Sequence, residues 1–421
     1  MLDILKKAWK IPDLRRKIIF TLLMLVIFRI GANLPVPVVS QEKLLMMAGG
    51  AREGLLGFFS LMSGGAFERF TMFGLGISPY ITSSIVMQLL QIAIPSLEAL
   101  SREGEAGRRK IAQYSRYLTV VLALLQSTAL SLTWFRSAFY EFNFFSVAIA
   151  VLSLTAGTAF LMYLGEKINE HGIGNGISLF IFAGIVAQLP MSAYAMVLRI
   201  MAGQVNILSL LVFLVVAVLI IMGVVLIQEG SRKIPVQYSK RVVGRKMYGG
   251  HSSHIPLKVN QTGVIPVIFA MSILMLPITI ASFFPGSGYA NWMDMHFKSS
   301  SVLYNVLYIL LIVFFTYFYT SVTFNPEEIA ENIKKSGGFI PGIRPGKPTE
   351  TYITRTLNRL TIVGAIFLAI IASIPNIVFA LSSLGIRFGG TSLLILVGVA
   401  LETMKQVEAQ MVMRHYKGFL R

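Results

Sequence analysis

The chain contains no cysteine and carries little charge. Without cysteine, disulfides, zinc–thiolate sites and thiol nucleophiles are all excluded. Only 13% of the 421 residues are Asp, Glu, Lys or Arg, where a soluble domain carries roughly a quarter. Acid is scarcer than base: 19 Asp and Glu stand against 37 Lys and Arg. What fills the chain instead is apolar, with 55% hydrophobic residues and a mean hydropathy of +0.71. Such a composition belongs to an all-α polytopic membrane protein.

The shortage of charge also bears on mechanism. Ion-coupled transporters keep ionisable residues inside their spans. The candidates here are Arg29, towards the external end of the first span, and Glu402 with Lys405, which could pair at a helical spacing of three near the other end of the last. No carboxylate cluster falls at mid-membrane, which weighs against a proton- or sodium-coupled carrier. Gly172, Gly174 and Gly176 have G-x-G-x-G spacing and join two spans rather than a strand and a helix, so they read as a capped turn and not as a phosphate cradle. His251 and His254 have no third ligand nearby, so no metal is expected. No serine–histidine pattern of an intramembrane protease stands out, and neither enzymatic activity nor a cofactor is expected.

Ten spans are expected near 18–34, 72–93, 117–135, 145–164, 177–197, 207–227, 262–284, 302–321, 360–380 and 391–413. Lys6, Lys7, Lys10, Arg15, Arg16 and Lys17 precede an apolar run with no small-residue cleavage pattern, which reads as a retained first span. With an internal amino terminus, 29 Lys and Arg fall on one side and seven on the other, so the positive-inside rule places both termini in the cytosol. The fifth span is apolar only to Leu189 and is interrupted at Pro190. An odd number of spans per half suggests two inverted halves of five, though no residue-level repeat is evident.

Three stretches stand out. Residues 59–70 form a short amphipathic segment, too short to cross a bilayer. It leads into a span broken near its start by Gly74, Gly76 and Pro79 and dotted with Ser78, Thr82, Ser83, Ser84 and Gln88. Irregular backbone at membrane depth is tolerated only inside protein or against a water-filled cavity, so the pair reads as a pore wall with something seated in it. Residues 228–261 alternate polar with apolar or aromatic residues, the pattern of a β-hairpin standing out of the membrane. In 322–359, Pro326 opens a short helix with Glu327 and Glu328 in its first turn and Lys334 and Lys335 in its last. A stiff tip, 341–348, then carries Arg344 and Lys347. Two basic projections on one side suggest a docking surface for something acidic or large. Ile77 and Ile81, and likewise Ile177 and Ile181, lie one turn apart. Periodicity alone favours ordinary packing for them; a dewetting constriction is the other reading.

The runs GISPYITSSIVMQLL (76–90), GEKINEHGIGNGIS (165–178), PLKVNQTGVIPVIFA (256–270), FNPEEIAENIKKSGGFIPGIRPG (324–346) and GGTSLLI (389–395) resemble the SecY/Sec61-alpha family, the central subunit of the protein-conducting translocon. The resemblance spans essentially the whole chain. It implies ten helices in two pseudo-symmetric inverted halves, 18–197 and 198–413, around an hourglass pore, with 1–17 and 414–421 as cytosolic ends. It implies a pore ring of Ile77, Ile81, Ile177, Ile181, Ile268 and Ile395. It implies a short plug helix over about 59–70, including Phe59, Leu61, Met62, Gly64, Gly65, Phe67 and Phe70. A lateral gate is expected at Thr82, Gln88, Leu276 and Ile280. Motor or ribosome docking is expected at Arg241, Lys246, Arg344 and Lys347. The implied function is passage of unfolded preproteins across, and release of transmembrane segments into, the bacterial cytoplasmic membrane. The implied partners are SecE, SecG, the SecA motor, the ribosome, signal sequences and lipid. A secondary transporter for small solutes, or a scaffold that only docks ribosomes, are the alternatives.

Overall fold

Apolar runs in lipid must satisfy their own backbone, and here they do so as helices. The computed structural model describes residues 2–48, 60, 63–203, 207–238, 241–243, 246–248, 252–282, 284, 286–297, 301–381 and 390–418. A short basic helix, α1 (Leu2–Trp9), precedes α2 (Pro12–Gly31), which opens on Pro12 with Asp13 in its first turn, both suited to a helix start. After α3 (Gln41–Ala48) and the turns described below come α4 (Ser78–Ala93), α5 (Pro95–Arg102), α6 (Glu105–Leu132), α7 (Phe144–His171), α8 (Gly176–Met201) and α9 (Ile207–Glu229). Strands β1 (Ser231–Tyr238), β2 (Arg241–Val243), β3 (Lys246–Tyr248) and β4 (Ser252–Lys258) follow. Then come α10 (Ile265–Ser282), α11 (Gly288–His296), α12 (Val302–Thr323), α13 (Pro326–Lys335), β5 (Gly338–Phe339), α14 (Lys347–Leu381) and α15 (Gly390–Gly418).

Ten of these helices, α2, α4, α6 to α10, α12, α14 and α15, lie over the ten expected spans. On length and composition alone, five helices among the described residues suffice to cross a membrane, or six if α4 and α5, bent by 100°, count as one. Several boundaries differ from expectation, among them the start of α6, at Glu105 rather than near 117. The α8 helix continues past Pro190 to Met201; a proline is tolerated inside membrane helices, where the freed backbone group can be re-satisfied. And α14 begins at Lys347 rather than near 360, so it projects about three turns beyond its apolar part.

The turn between α7 and α8 is capped as expected: Asn175 Oδ1 accepts hydrogen bonds from the amides of Ile177 and Ser178. Gly176 is there for space, since a Cβ on it would stand 2.2 Å from the Gly165 carbonyl oxygen. The expected Glu402–Lys405 pair is not formed. Lys405 Nζ instead reaches across to α9, 3.0 Å from Glu229 Oε1 and 3.1 Å from the Gln228 carbonyl, where two partners offer more than one exposed neighbour on its own helix.

The hairpin is present. β1 pairs antiparallel with β4, from Ser231 opposite Lys258 to Gln237 opposite Ser252, and β2 pairs with β3 beyond it. The sequence does not foretell β5, a two-residue strand that pairs with the far edge of β1 at Gln237 and Tyr238. Inward-facing Ile234 and Val236 of β1 and Leu257 of β4 pack with Ile333, Ile340 and Ile353. The two basic projections are therefore one body with a shared core.

Candidate functional site

The largest buried cluster runs through helices of both expected halves, from Phe28 of α2 to Leu401 of α15. Within it lie five of the six expected ring isoleucines: Ile77 and Ile81 at the start of α4, Ile181 of α8, Ile268 of α10 and Ile395 of α15, each no more than 6% exposed. The sixth, Ile177, is half-buried and packs against the same cluster. Residues far apart in sequence are thus brought to one dry region by four different helices. The six side chains are all branched and aliphatic, with buried Ser78, Thr82, Ser178, Ser272 and Ser392 close to them in sequence.

Beside this region sits the segment expected as a plug. Phe59, Leu61 and Met62 lie outside the described residues. Ser60 is helical, and 63–70 runs as successive turns with positive φ at Gly64 (65°), Gly65 (86°) and Phe70 (46°). Gly64 has no room for a side chain: a Cβ would stand 2.8 Å from Arg29 Nη1 and 3.0 Å from the Gly184 Cα of α8. Ala66 is fully buried in the main cluster. Phe67 and Phe70 turn the other way, into a second cluster with Val36, Val39, Leu75 and Leu154. There their rings lie 5.4 and 4.5 Å from that of Phe135. The end of the segment is tied by backbone, with the Val36 amide donating to the Phe70 carbonyl at 3.1 Å and the Met72 amide to the Leu34 carbonyl at 3.0 Å.

Side chains hold its beginning. Gln188 Nε2 of α8 donates to the Ser60 carbonyl at 2.6 Å, and Arg29 Nη1 of α2 donates to the Gly64 carbonyl at 3.2 Å. Sequence reasoning singled out Arg29 as a charge within a span but gave it no partner, and it passed over Gln188. The signal was a lone amide in an apolar run, which in lipid usually marks a hydrogen bond between segments.

The expected gate residues lie on α4 and α10, which pack against each other. Thr82 is buried, Gln88 and Leu276 are half-buried, and Ile280 is exposed. Gln88 Oε1 is buried without a hydrogen-bond partner, and its Nε2 reaches only Ser84 Oγ at 3.5 Å. An unmet acceptor of this kind weakens the closed packing by about 1–3 kcal/mol.

Of the expected docking residues, Arg344 and Lys347 are exposed at the tip before and at the start of α14. An open cleft of about 640 Å³ between α13 and this tip is lined by Lys334, Phe339, Ile343 and Arg344. The backbones of Arg241 and Lys246 lie in β2 and β3; their side chains are outside the described residues. In the last turns of α7, Lys167 Nζ and Glu170 Oε2 are 2.6 Å apart. That hydrogen bond raises the lysine pKa and lowers that of the glutamate, so both stay charged across neutral pH.

The SecY family model matches residues 71–404. Protein translocase subunit SecY of Halalkalibacterium halodurans is 49% identical over 441 residues, covering all of both chains. That of Bacillus subtilis is 44% identical over 435 residues, again covering all of both. Among solved structures, one described as a protein conducting channel superposes with a TM-score of 0.68 at 22% identity, over 94% of this chain and 93% of the other. Canine Sec61 in a ribosome-channel complex from the endoplasmic reticulum superposes with a TM-score of 0.62 at 19% identity, over 94% and 93%.

Proposed function

The chain belongs to the SecY family, and we propose from that premise how its residues divide the work of a protein-conducting channel. The halves 18–197 and 198–413 clasp a pore in the bacterial cytoplasmic membrane, with both termini in the cytosol. Ile77, Ile81, Ile177, Ile181, Ile268 and Ile395 form its waist. The observation that carries this reading is the meeting of these six residues from four helices in one apolar region beside the 60–70 segment. Branched aliphatic side chains suit a gasket. They exclude water when closed, conform to any extended polypeptide and offer no polar site where it would stall.

Residues 59–70 are the plug on the external side of the waist. The seam between α4 and α10, with Thr82, Gln88, Leu276 and Ile280, is the lateral gate. A signal sequence, itself an apolar helix, replaces the mutual packing of the gate helices, and the unmet Gln88 acceptor lowers the cost of parting them. SecE and SecG accompany the chain as small membrane subunits. The fused cytosolic body built on β1, β4 and α13 receives the SecA motor or the ribosome, and energy comes from those partners.

Proteoliposomes carrying the chain with SecE and SecG test the function. Protection of a preprotein from external protease, dependent on SecA and ATP, is the expected result. Uptake of small solutes without any motor would favour a secondary transporter. For the docking surface, Arg344→Glu places a negative charge on an exposed tip whose fold does not depend on it. SecA-driven translocation is expected to fall by roughly tenfold, as a close charge reversal commonly costs more than 1.4 kcal/mol, while the complex purifies in normal yield. Equal loss of yield and transport would refute a coupling role.

A further inference from the structure

We infer that Arg29 and Gln188 are the latch of the plug: positioning residues that hold residues 60–64 shut without touching the translocating chain. The inference rests on reading 59–70 as a plug. The two ends of this segment are fastened differently. At the far end the chain is bound by backbone to the exit of α2, through the Val36–Phe70 and Met72–Leu34 hydrogen bonds and the Pro35–Thr71 bridge. Those bonds belong to the scaffold and need not break when the segment swings.

At the near end the segment is held across helices by two side-chain donors. Gln188 comes from α8 and Arg29 from the last turn of α2, and each caps one backbone carbonyl. Neither carbonyl is used by a neighbouring element as ordinary secondary structure would use it. Among the described residues, the Ser60 carbonyl otherwise accepts within the segment, from the Gly65 amide at 2.7 Å and from Ser63 Oγ at 3.4 Å. Both donors can find water when the plug leaves, since Arg29 and Gln188 are each half-exposed. The latch is therefore releasable at small cost, whereas the aromatic cluster of Phe67, Phe70 and Phe135 supplies undirected cohesion. Gly64 is the matching half of the device. Its missing side chain lets the carbonyl come under Arg29 and lets the backbone touch Gly184.

Asn33 steadies the arrangement on the α2 side. Its Nδ2 donates to the Arg29 carbonyl at 2.7 Å, and its Oδ1 accepts from Arg69 Nη1 of the segment itself. Arg69 of the segment thus bonds to the exit of α2, while Arg29 in the last turn of α2 bonds to the segment.

The test uses the complete complex with SecE and SecG, idle and without a motor. Ala66→Cys adds one thiol to a chain that has none, at a fully buried plug position. Its modification by a membrane-impermeant maleimide from the external side reports departure of the plug. Gln188→Leu and Arg29→Met are each expected to raise the modification rate and the idle ion conductance by roughly tenfold, the shift that follows loss of one strong hydrogen bond. Arg29→Lys, which keeps a donor, is expected to stay within about threefold of the parent. If the cysteine is protected in the parent and equally protected in both variants, the latch is overturned and the plug reading stands. If it is freely modified in the idle parent, the plug reading itself falls. Should Arg29→Met fail to assemble, Gln188→Leu at its half-exposed site decides alone.

Discussion

The double variant Ile81→Ser, Ile181→Ser conducts ions through the idle channel roughly tenfold faster than the parent in planar bilayers, whereas Ile81→Val, Ile181→Val stays near the parent. The expectation follows from where these side chains lie. Ile181 is fully buried and Ile81 4% exposed, both inside the cluster that joins the two halves. A constriction of branched aliphatic side chains gates by dewetting, since those side chains give water and ions no hydrogen bond. Serine does both things that break the seal: it removes volume and supplies a hydroxyl. Valine removes one methylene and supplies nothing polar, which separates loss of dryness from loss of bulk. Ile→Val in a packed core costs about 0.5–1.5 kcal/mol of stability, so the valine pair also controls for general loosening. Unchanged conductance in the serine pair would refute the waist. Equal leak in both pairs would make it a matter of packing rather than of wetting.

What the sequence made legible follows from how strongly each feature is written in local chemistry. The ten helices over the expected spans are marked by apolar runs, five of them long enough by length and composition alone to cross a membrane, and the hairpin by alternation around Ile234 and Val236. Asn325 Oδ1 receives the Glu328 amide at 3.4 Å to start α13, as a residue of that kind before a proline promises. The start of α4 at Ser78, rather than at the expected 72, follows the break read at Gly74, Gly76 and Pro79. Features made by chain crossing were not readable. β5 is two residues long, and nothing in Gly338–Phe339 says that Tyr238 will be its partner. Lys405 had a plausible acid three residues away and took one on another helix instead. The six isoleucines show the division most clearly. Periodicity could not raise them above ordinary packing, the resemblance grouped them, and the fold brings them to one region.

A complex whose Thr82→Cys and Leu276→Cys residues are joined by a short bifunctional thiol reagent is expected to lose nearly all translocation while keeping normal SecA binding. The chain has no other thiol, so every crosslink is this one. The reasoning starts from the seam itself. Thr82 is buried on α4 and Leu276 half-buried on α10, helices in direct contact. Gln88, further along α4, keeps an unsatisfied acceptor, and each unmet group works against the packing it sits in. On the reading proposed above, the α4–α10 seam parts to admit substrate. A covalent tether removes the parted state while leaving the closed one undisturbed, so a function that needs parting stops and binding on the cytosolic body does not. The size of the loss separates two mechanisms. If preproteins pass only along the pore axis, the tethered complex transports secreted chains at the parent rate, and the lateral gate is wrongly placed. If the reagent bridges nothing although both cysteines are singly modified, the two positions do not face each other and the seam lies elsewhere on α4 and α10. Abolished transport, restored when a cleavable version of the tether is cut, leaves parting of α4 from α10 as the step that admits the substrate.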